Sequence, residues 1–179
     1  MSDFLSSREK IEVVQSYQDH YAYSNFVETG TFKGKMIEGV ISNFDKIYSI
    51  ELGKKYYLDA QSRFTESHVH LFLGDTISVL PILLKRIKSP IVFWLDAHYW
   101  PNSSFAIGTT ACPIREELNT ISQHPISTKH VILIDDYRCF TGKLGYPTQE
   151  ELTLLIHTLF PSHSVEISDD IIRVLPSKK

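Results

Sequence analysis

Acidic side chains recur at the ends of the predicted strands in this chain of 179 residues. In open α/β sheets, ligands bind outside the carboxyl ends of the strands, so these acids are expected to surround one site. Helix capping or solvation would explain any one of them. Their recurrence at five successive strands favours a ligand site instead. The residues are Glu28, Glu51, Asp75, Asp96, Asp135 and Asp136.

The first of these acids belongs to the segment VETGTFKG, residues 27–34. Gly30 permits a tight turn after a strand, and Gly34 permits a close approach of the next helix or of a ligand. Glu28 could accept hydrogen bonds from a ligand ammonium group or fix the loop. The spacing E-x-G-x-x-x-G differs from both the dinucleotide fingerprint and the two-residue hairpin turn.

Hydrophobic periodicity predicts the elements that position these residues. A leading helix capped by Ser6 or Ser7 precedes five alternations of strand and helix, including a helix over residues 35–44 and one with Pro113 in its first turn. An antiparallel hairpin turning at Asp169 and Asp170 closes the chain. The predicted fold class is therefore α/β, with five parallel strands, a C-terminal antiparallel hairpin and helices on both faces. We predict one domain over residues 1–179, with a leading helix in 1–24 and a lid in 100–112.

Composition and charge narrow the classes of function. The chain is 42% hydrophobic and 22% charged, with a formal net charge of −3, which gives no reason to expect nucleic acid as a partner. No apolar run is long enough to span a bilayer. The cysteines, Cys112 and Cys139, lack metal-type spacing, which favours a reducing, cytoplasmic location. The expected partner is a small-molecule acceptor, and an exposed apolar face on the leading helix would indicate a homodimer.

The ordered motifs ETGTFKG, SIEL, LGDT, FWLDAHYW and LIDD resemble those of class I S-adenosylmethionine-dependent methyltransferases. The closing hairpin agrees with the Rossmann-like sheet of that class. More narrowly, the set resembles the metal-dependent O-methyltransferases of the catechol and caffeoyl-CoA type. A closer resemblance still, to the macrocin O-methyltransferase group, is carried by the segments FWLDAHY, CPIREEL, HVILIDDYRCF and YPTQEEL. The resemblance extends from about Phe26 to the C-terminus.

The positions of the acids suit S-adenosylmethionine, an amino acid joined to a nucleoside. Glu51 is placed to accept both ribose hydroxyls, and Asp75 with Thr76 could recognise the adenine amino group. The predicted cofactor-binding residues are Glu28, Thr29, Gly30, Gly34, Glu51, Asp75, Thr76 and Asp96.

The resemblance implies a divalent ion held by Asp96, Asp135 and Asp136. Physically, the fourth and fifth strands should be neighbours, about 4.8 Å apart, and their carboxylates would repel one another without a hard cation. Oxygen ligands favour Mg²⁺ over zinc. Such an ion would lower the pKa of a bound acceptor hydroxyl.

The residue that would act as the base differs from that of the catechol-type enzymes. Catechol-type enzymes carry a lysine after the aspartate motif, whereas this chain reads DAHYWPN. His98 is the nearest replacement and is predicted, with Asp96, as catalytic. The alternative is that His98 lines the adenine pocket or orients Asp96.

The sequence therefore predicts a Mg²⁺-dependent O-methyltransferase acting on a sugar or phenol hydroxyl. The alternatives are an N-methyltransferase on the same fold and a non-catalytic protein that binds S-adenosylmethionine. A nucleotide-dependent oxidoreductase is disfavoured by the missing third glycine and by the closing hairpin.

Overall fold

The computed structural model describes residues 5–97 and 108–177. After a leading helix, strands and helices alternate until the last two strands, which are consecutive. The helices are α1 (Ser7–Tyr21), α2 (Lys35–Val40), α3 (Lys54–Arg63), α4 (Thr76–Leu84), α5 (Ile114–Ser122) and α6 (Gln149–Leu159). The strands are β1 (Asn25–Thr29), β2 (Lys46–Glu51), β3 (Val69–Leu73), β4 (Ile91–Leu95), β5 (Val131–Ile134), β6 (His163–Ser168) and β7 (Ile171–Pro176).

The described strands form one sheet of seven in the order β3-β2-β1-β4-β5-β7-β6. The first five strands are parallel, whereas β7 pairs antiparallel with both β5 and β6. Asp169 and Asp170 both adopt positive φ angles, 55° and 64°, as a tight hairpin turn requires. The predicted parallel sheet with a closing antiparallel hairpin is confirmed.

Local sequence explains where the helices begin. Ser6 caps α1 and Thr148 caps α6, each in a reciprocal pair of hydrogen bonds with a glutamate three positions later, Glu9 and Glu151. These capping boxes satisfy backbone N–H groups that a helix start leaves without partners. The prediction of Ser6 or Ser7 as the first cap is thereby resolved in favour of Ser6.

Two helix boundaries differ from prediction. Helix α2 ends at Val40 rather than continuing to residue 44, because the Asn43 N–H turns back to the Val40 carbonyl, 2.9 Å away. Asn43 also accepts a hydrogen bond from Gln15 through its side chain, so it favours a turn over a helical position. Pro113 is the N-cap of α5 and not part of its first turn.

Hydrophobic clusters cover both faces of the sheet. Strands β1, β4 and β5 are buried along their whole length, as expected for the centre of a parallel sheet. One cluster includes Leu80, Leu118 and Ile156 from α4, α5 and α6. The other includes Val14 from α1 and Ile37 from α2. Across the described ranges, no helix combines the length and apolar character needed to cross a membrane.

Candidate active site

A cavity of about 360 Å³ opens at the carboxyl ends of the parallel strands. That volume lies within the usual range for small-molecule sites. Five of the eight predicted cofactor-binding residues line it: Gly30, Glu51, Asp75, Thr76 and Asp96. The other lining residues are Phe32, Ile50, Leu52, Tyr56, Ala97, Gly108, Thr110, Ala111, Pro113, Asp136 and Arg138.

Gly30 joins the loop after β1 to the neighbouring strands. Its N–H donates to the Ile50 carbonyl at 2.9 Å, and its φ angle is +87°. A Cβ atom at this position would lie 2.4 Å from the Asp96 carbonyl oxygen. Only glycine therefore fits, because both the left-handed backbone and the close approach to β4 exclude a side chain.

Gly34 does not line the cavity. It is the N-cap of α2 with a φ angle of +67°, and a Cβ atom there would lie 2.6 Å from the Phe64 ring. Its role in the structure is to let α2 begin close to Phe64, the first of the two alternatives that the sequence left open.

Glu51 holds the first loop in place and also faces the cavity. One carboxylate oxygen accepts from the Phe32 N–H at 2.7 Å and the other from the Gly53 N–H at 2.6 Å. A carboxylate oxygen has more than one acceptor site, so both oxygens can still accept from a ligand hydroxyl. The side chain is thus fixed in orientation before any ligand binds.

Asp75 and Thr76 lie where β3 passes into α4. Asp75 Oδ1 caps the helix through the Ile77 N–H at 3.0 Å, and Oδ2 accepts from the Thr109 N–H at 2.7 Å. Burial alone would raise the pKa of Asp75, but the hydrogen bonds from Thr109 and Ile77 outweigh it and lower the pKa. Thr76 lines the cavity, and its Oγ1 is buried with no hydrogen-bond partner among the described residues.

Glu28 and Thr29 lie beneath the cavity and not in its lining. Ser49 donates to the Glu28 carboxyl at 2.6 Å, and Thr31 contacts the Ser49 hydroxyl at 2.6 Å. Burial raises the pKa of Glu28 to about 8, and the Ser49 hydrogen bond offsets this only in part. The Thr29 carbonyl accepts from the Asp96 N–H at 3.0 Å, which joins the ends of β1 and β4.

The three predicted metal ligands converge as the sequence suggested. Asp96 follows β4 and Asp135 follows β5, and these strands are neighbours. Asp96, Asp135 and Asp136 each place a carboxylate oxygen within 4.8 Å of the others. A set of carboxylate oxygens beside a cavity suits a hard divalent cation with room for water ligands. The residues present therefore fit Mg²⁺.

Sequence reasoning missed a cation from the leading helix. Lys10 Nζ lies 2.6 Å from Asp135 Oδ2 and 3.4 Å from Asp136 Oδ1. The signal was present, because Lys10 shares helical spacing with the buried Val14. Arg138 also contacts Asp136, at 2.8 Å, and pairs with Asp170 in the β6–β7 turn.

Burial and charge act in opposite directions within this cluster. Burial and the neighbouring Asp136 raise the pKa of Asp135, and Lys10 reverses only part of that effect. Burial would lower the pKa of Lys10, but attraction to Asp135 outweighs it and raises the pKa. Lys10 is accordingly held as an ammonium ion beside the carboxylates.

The predicted base, His98, lies outside the described residues, as do residues 100–107 of the predicted lid. The rest of that segment borders the cavity through Gly108, Thr110 and Ala111. Three other histidines are buried at the opposite end of the sheet: His124, His130 and His163.

Comparison with solved structures identifies the fold. No family model and no curated protein matches the sequence. A structure assigned as a caffeoyl-CoA O-methyltransferase from Staphylococcus aureus aligns with a TM-score of 0.69 and 12% identity, covering 97% of this chain and 85% of the other. The O-methyltransferase TomG of Streptomyces achromogenes, solved with S-adenosylmethionine, aligns at 0.67 and 15%, covering 99% and 84%.

The similarity extends to a protein that methylates nitrogen. The N-methyltransferase NodS of Bradyrhizobium japonicum aligns with a TM-score of 0.60 and 13% identity, covering 96% of both chains. At these identities the likeness concerns the fold alone. The chain has the class I methyltransferase fold, which confirms the resemblance seen in its motifs at that level, and the fold does not distinguish oxygen from nitrogen acceptors.

Proposed function

We propose that this protein transfers the methyl group of S-adenosylmethionine to a hydroxyl oxygen of a small molecule, with a divalent cation bound by Asp96, Asp135 and Asp136. The observation that carries the proposal is the cavity whose wall joins Glu51 and Thr76 on one side to Asp96 and Asp136 on the other. One cavity would thereby hold cofactor and acceptor next to each other.

The cofactor would occupy the side formed by β1, β2 and β3. Glu51 would accept the ribose hydroxyls, in an orientation already set by the N–H groups of Phe32 and Gly53. Thr76, which lines the cavity, would lie against the adenine, while Asp75 accepts from the Thr109 N–H. Gly30 would allow the methionine end to approach the backbone closely.

The acceptor would occupy the side formed by β4 and β5. A bound Mg²⁺ would supply charge stabilisation to an acceptor oxygen and lower its pKa. The aspartates would position the ion. Asp96 and Asp136 border the cavity, and Asp135 is 2% exposed and does not line it. Holding the oxygen in line with the sulfonium methyl supplies much of the rate enhancement. The C–S bond breaks as the O–C bond forms, and the hydroxyl proton passes to a base, for which His98 remains the prediction.

Asp135→Asn tests this proposal. The variant should lose methyl transfer from labelled S-adenosylmethionine to a panel of catechols and sugar diols, because it weakens the cation site. S-adenosylhomocysteine affinity should stay within a few-fold, since Asp135 does not line the cavity. Asp59→Asn, an exposed change on α3, serves as the matched control.

Three outcomes would contradict the proposal. Equal turnover with and without excess chelator would show that the reaction does not require a divalent cation. Turnover of amines and not of diols, with or without metal, would favour the N-methyltransferase alternative, which the shared fold with NodS keeps open. Cofactor binding without turnover of any acceptor class would favour a non-catalytic binding protein.

A further inference from the structure

Lys10 reaches the carboxylate cluster from a distant part of the chain. It lies 125 positions before Asp135 and yet forms an ion pair with it, with Nζ 2.6 Å from Oδ2. We propose that Lys10 is a tethered counter-ion that competes with the divalent cation for the carboxylates of Asp96, Asp135 and Asp136. Its ammonium group leaves Asp135 when the ion binds.

The Lys10 ammonium group lies where it would repel a divalent cation bound by the three aspartates. Nζ contacts Asp135 and Asp136, two of the three ligands that would hold the ion. The Lys10 side chain is 19% exposed and that of Asp135 only 3%, so solvent screens the pair weakly. A divalent ion would bind carboxylate oxygens at about 2.1 Å and would lie within a few ångströms of Nζ. Repulsion between the two cations is strong at such distances in a partly buried site.

Helix α1 holds Lys10 at this position. Val14, on the same face of the helix, is fully buried in the cluster that contains Ile37 of α2. The ammonium group is therefore presented by a docked helix and not by a mobile terminus. Departure of Lys10 from Asp135 would remove one link between α1 and the sheet, so that cation binding and helix docking oppose each other.

This inference rests on the cation site of the proposed function, and direct metal binding tests it. Mn²⁺ is titrated into the full chain, and the unbound ion is measured by electron paramagnetic resonance. Lys10→Met should bind Mn²⁺ at least about tenfold more tightly than the wild type. Arg8→Met, which removes the same charge from an 88% exposed side chain on the same helix, should change the affinity by less than about twofold.

A purely structural role for Lys10 predicts the opposite sign, because loosening α1 would weaken the site. Equal or weaker Mn²⁺ binding by Lys10→Met would therefore overturn the proposal. Absence of Mn²⁺ binding in both proteins would refute the cation site and this inference with it. S-adenosylhomocysteine binding, measured on the same samples, reports on the cofactor part of the proposed function separately.

A second measurement uses the wild-type chain and does not depend on the folding of a variant. Amine acetylation is quantified by mass spectrometry at Lys10 with and without saturating Mn²⁺. Lys10 should react several-fold faster with Mn²⁺ present, while the exposed Lys55 keeps its rate. An unchanged or slower reaction at Lys10 would show that the ammonium group stays on Asp135, which contradicts the proposal.

Discussion

The two ends of β4 and β5 carry polar groups of contrasting character. At the carboxyl ends lie the carboxylates of Asp96, Asp135 and Asp136, beside a cavity. At the amino ends, His130 accepts from the Ile91 N–H through Nδ1 at 3.2 Å and contacts His124 Nδ1 through Nε2 at 2.8 Å. One end concentrates charge next to open space, and the other encloses neutral rings.

The histidine end forms a chain of hydrogen bonds with a defined direction. Because His130 Nδ1 accepts, its neutral ring carries the proton on Nε2 and donates to His124 Nδ1. His124 then carries its proton on Nε2, which donates to the Ile87 carbonyl at 3.0 Å. Every ring nitrogen of the pair has a partner in this arrangement. A satisfied pair of neutral rings stabilises the fold, whereas carboxylates gathered beside a cavity are suited to binding a ligand.

The largest loss of stability is expected from a substitution at the carboxyl ends of the strands. Gly30→Ala should lower the free energy of unfolding by about 3–5 kcal/mol, because the new Cβ would meet the Asp96 carbonyl in a strained backbone. Urea unfolding measures this. Gly145→Ala is the matched control, since its φ is also +87° but its nearest contact would be 3.7 Å away. Equal losses in both variants would show that the close approach to Asp96 contributes nothing.

The next largest effect is the pH dependence of stability that comes from the buried His130. Burial, followed by the neighbouring His124 and His163, lowers the pKa of His130 from 6.5 to about 3. A lowered folded-state pKa contributes stability that is complete above about pH 6.5 and is lost as the pH falls towards 3. Between pH 7 and pH 4 the wild type should therefore lose about 3 kcal/mol more than His130→Leu, which cannot titrate there. Parallel losses in urea titrations of the two proteins would contradict a neutral buried His130.

A smaller effect of opposite sign is expected at Glu28. Burial raises its pKa from 4.5 to about 8, so its contribution is complete below pH 4.5 and is lost as the pH rises through 8. Glu28→Gln keeps the neutral shape and cannot ionise. Its stability relative to the wild type should rise by roughly 2–3 kcal/mol from pH 5 to pH 7. A constant difference in unfolding free energy between the two proteins would show that Glu28 is ionised in the fold.

Sequence patterns predicted most of the fold because its signals are local. The continuous apolar runs at β4 and β5 indicated buried parallel strands, and the capping residues Ser6 and Thr148 marked helix starts. The convergence of Asp96 and Asp135 followed from the expected adjacency of β4 and β5, together with the resemblance of the motifs to metal-dependent O-methyltransferases. Helix α2 was predicted too long because its end depends on Gln15 of α1, a tertiary contact.

What escaped prediction depends on contacts between distant segments. Nothing local links Lys10 to Asp135, and its place on a buried helix face was the only available signal. The histidine network joins His130, at the start of β5, to His124 in the preceding turn and His163 at the start of β6. No metal-type spacing marks such a network, because its partners are one another, backbone carbonyls and the Ile91 N–H.

Calorimetric titration with S-adenosylhomocysteine, with and without Mg²⁺, measures whether the cavity binds the cofactor. We expect the wild type to bind in both conditions and Glu51→Ala to bind more weakly by roughly 1–3 kcal/mol, because ribose hydroxyls lose a charged acceptor. The exposed Glu66→Ala should bind like the wild type. Absence of binding in both conditions, or equal affinity in Glu51→Ala, would contradict the assignment of the cavity to the cofactor.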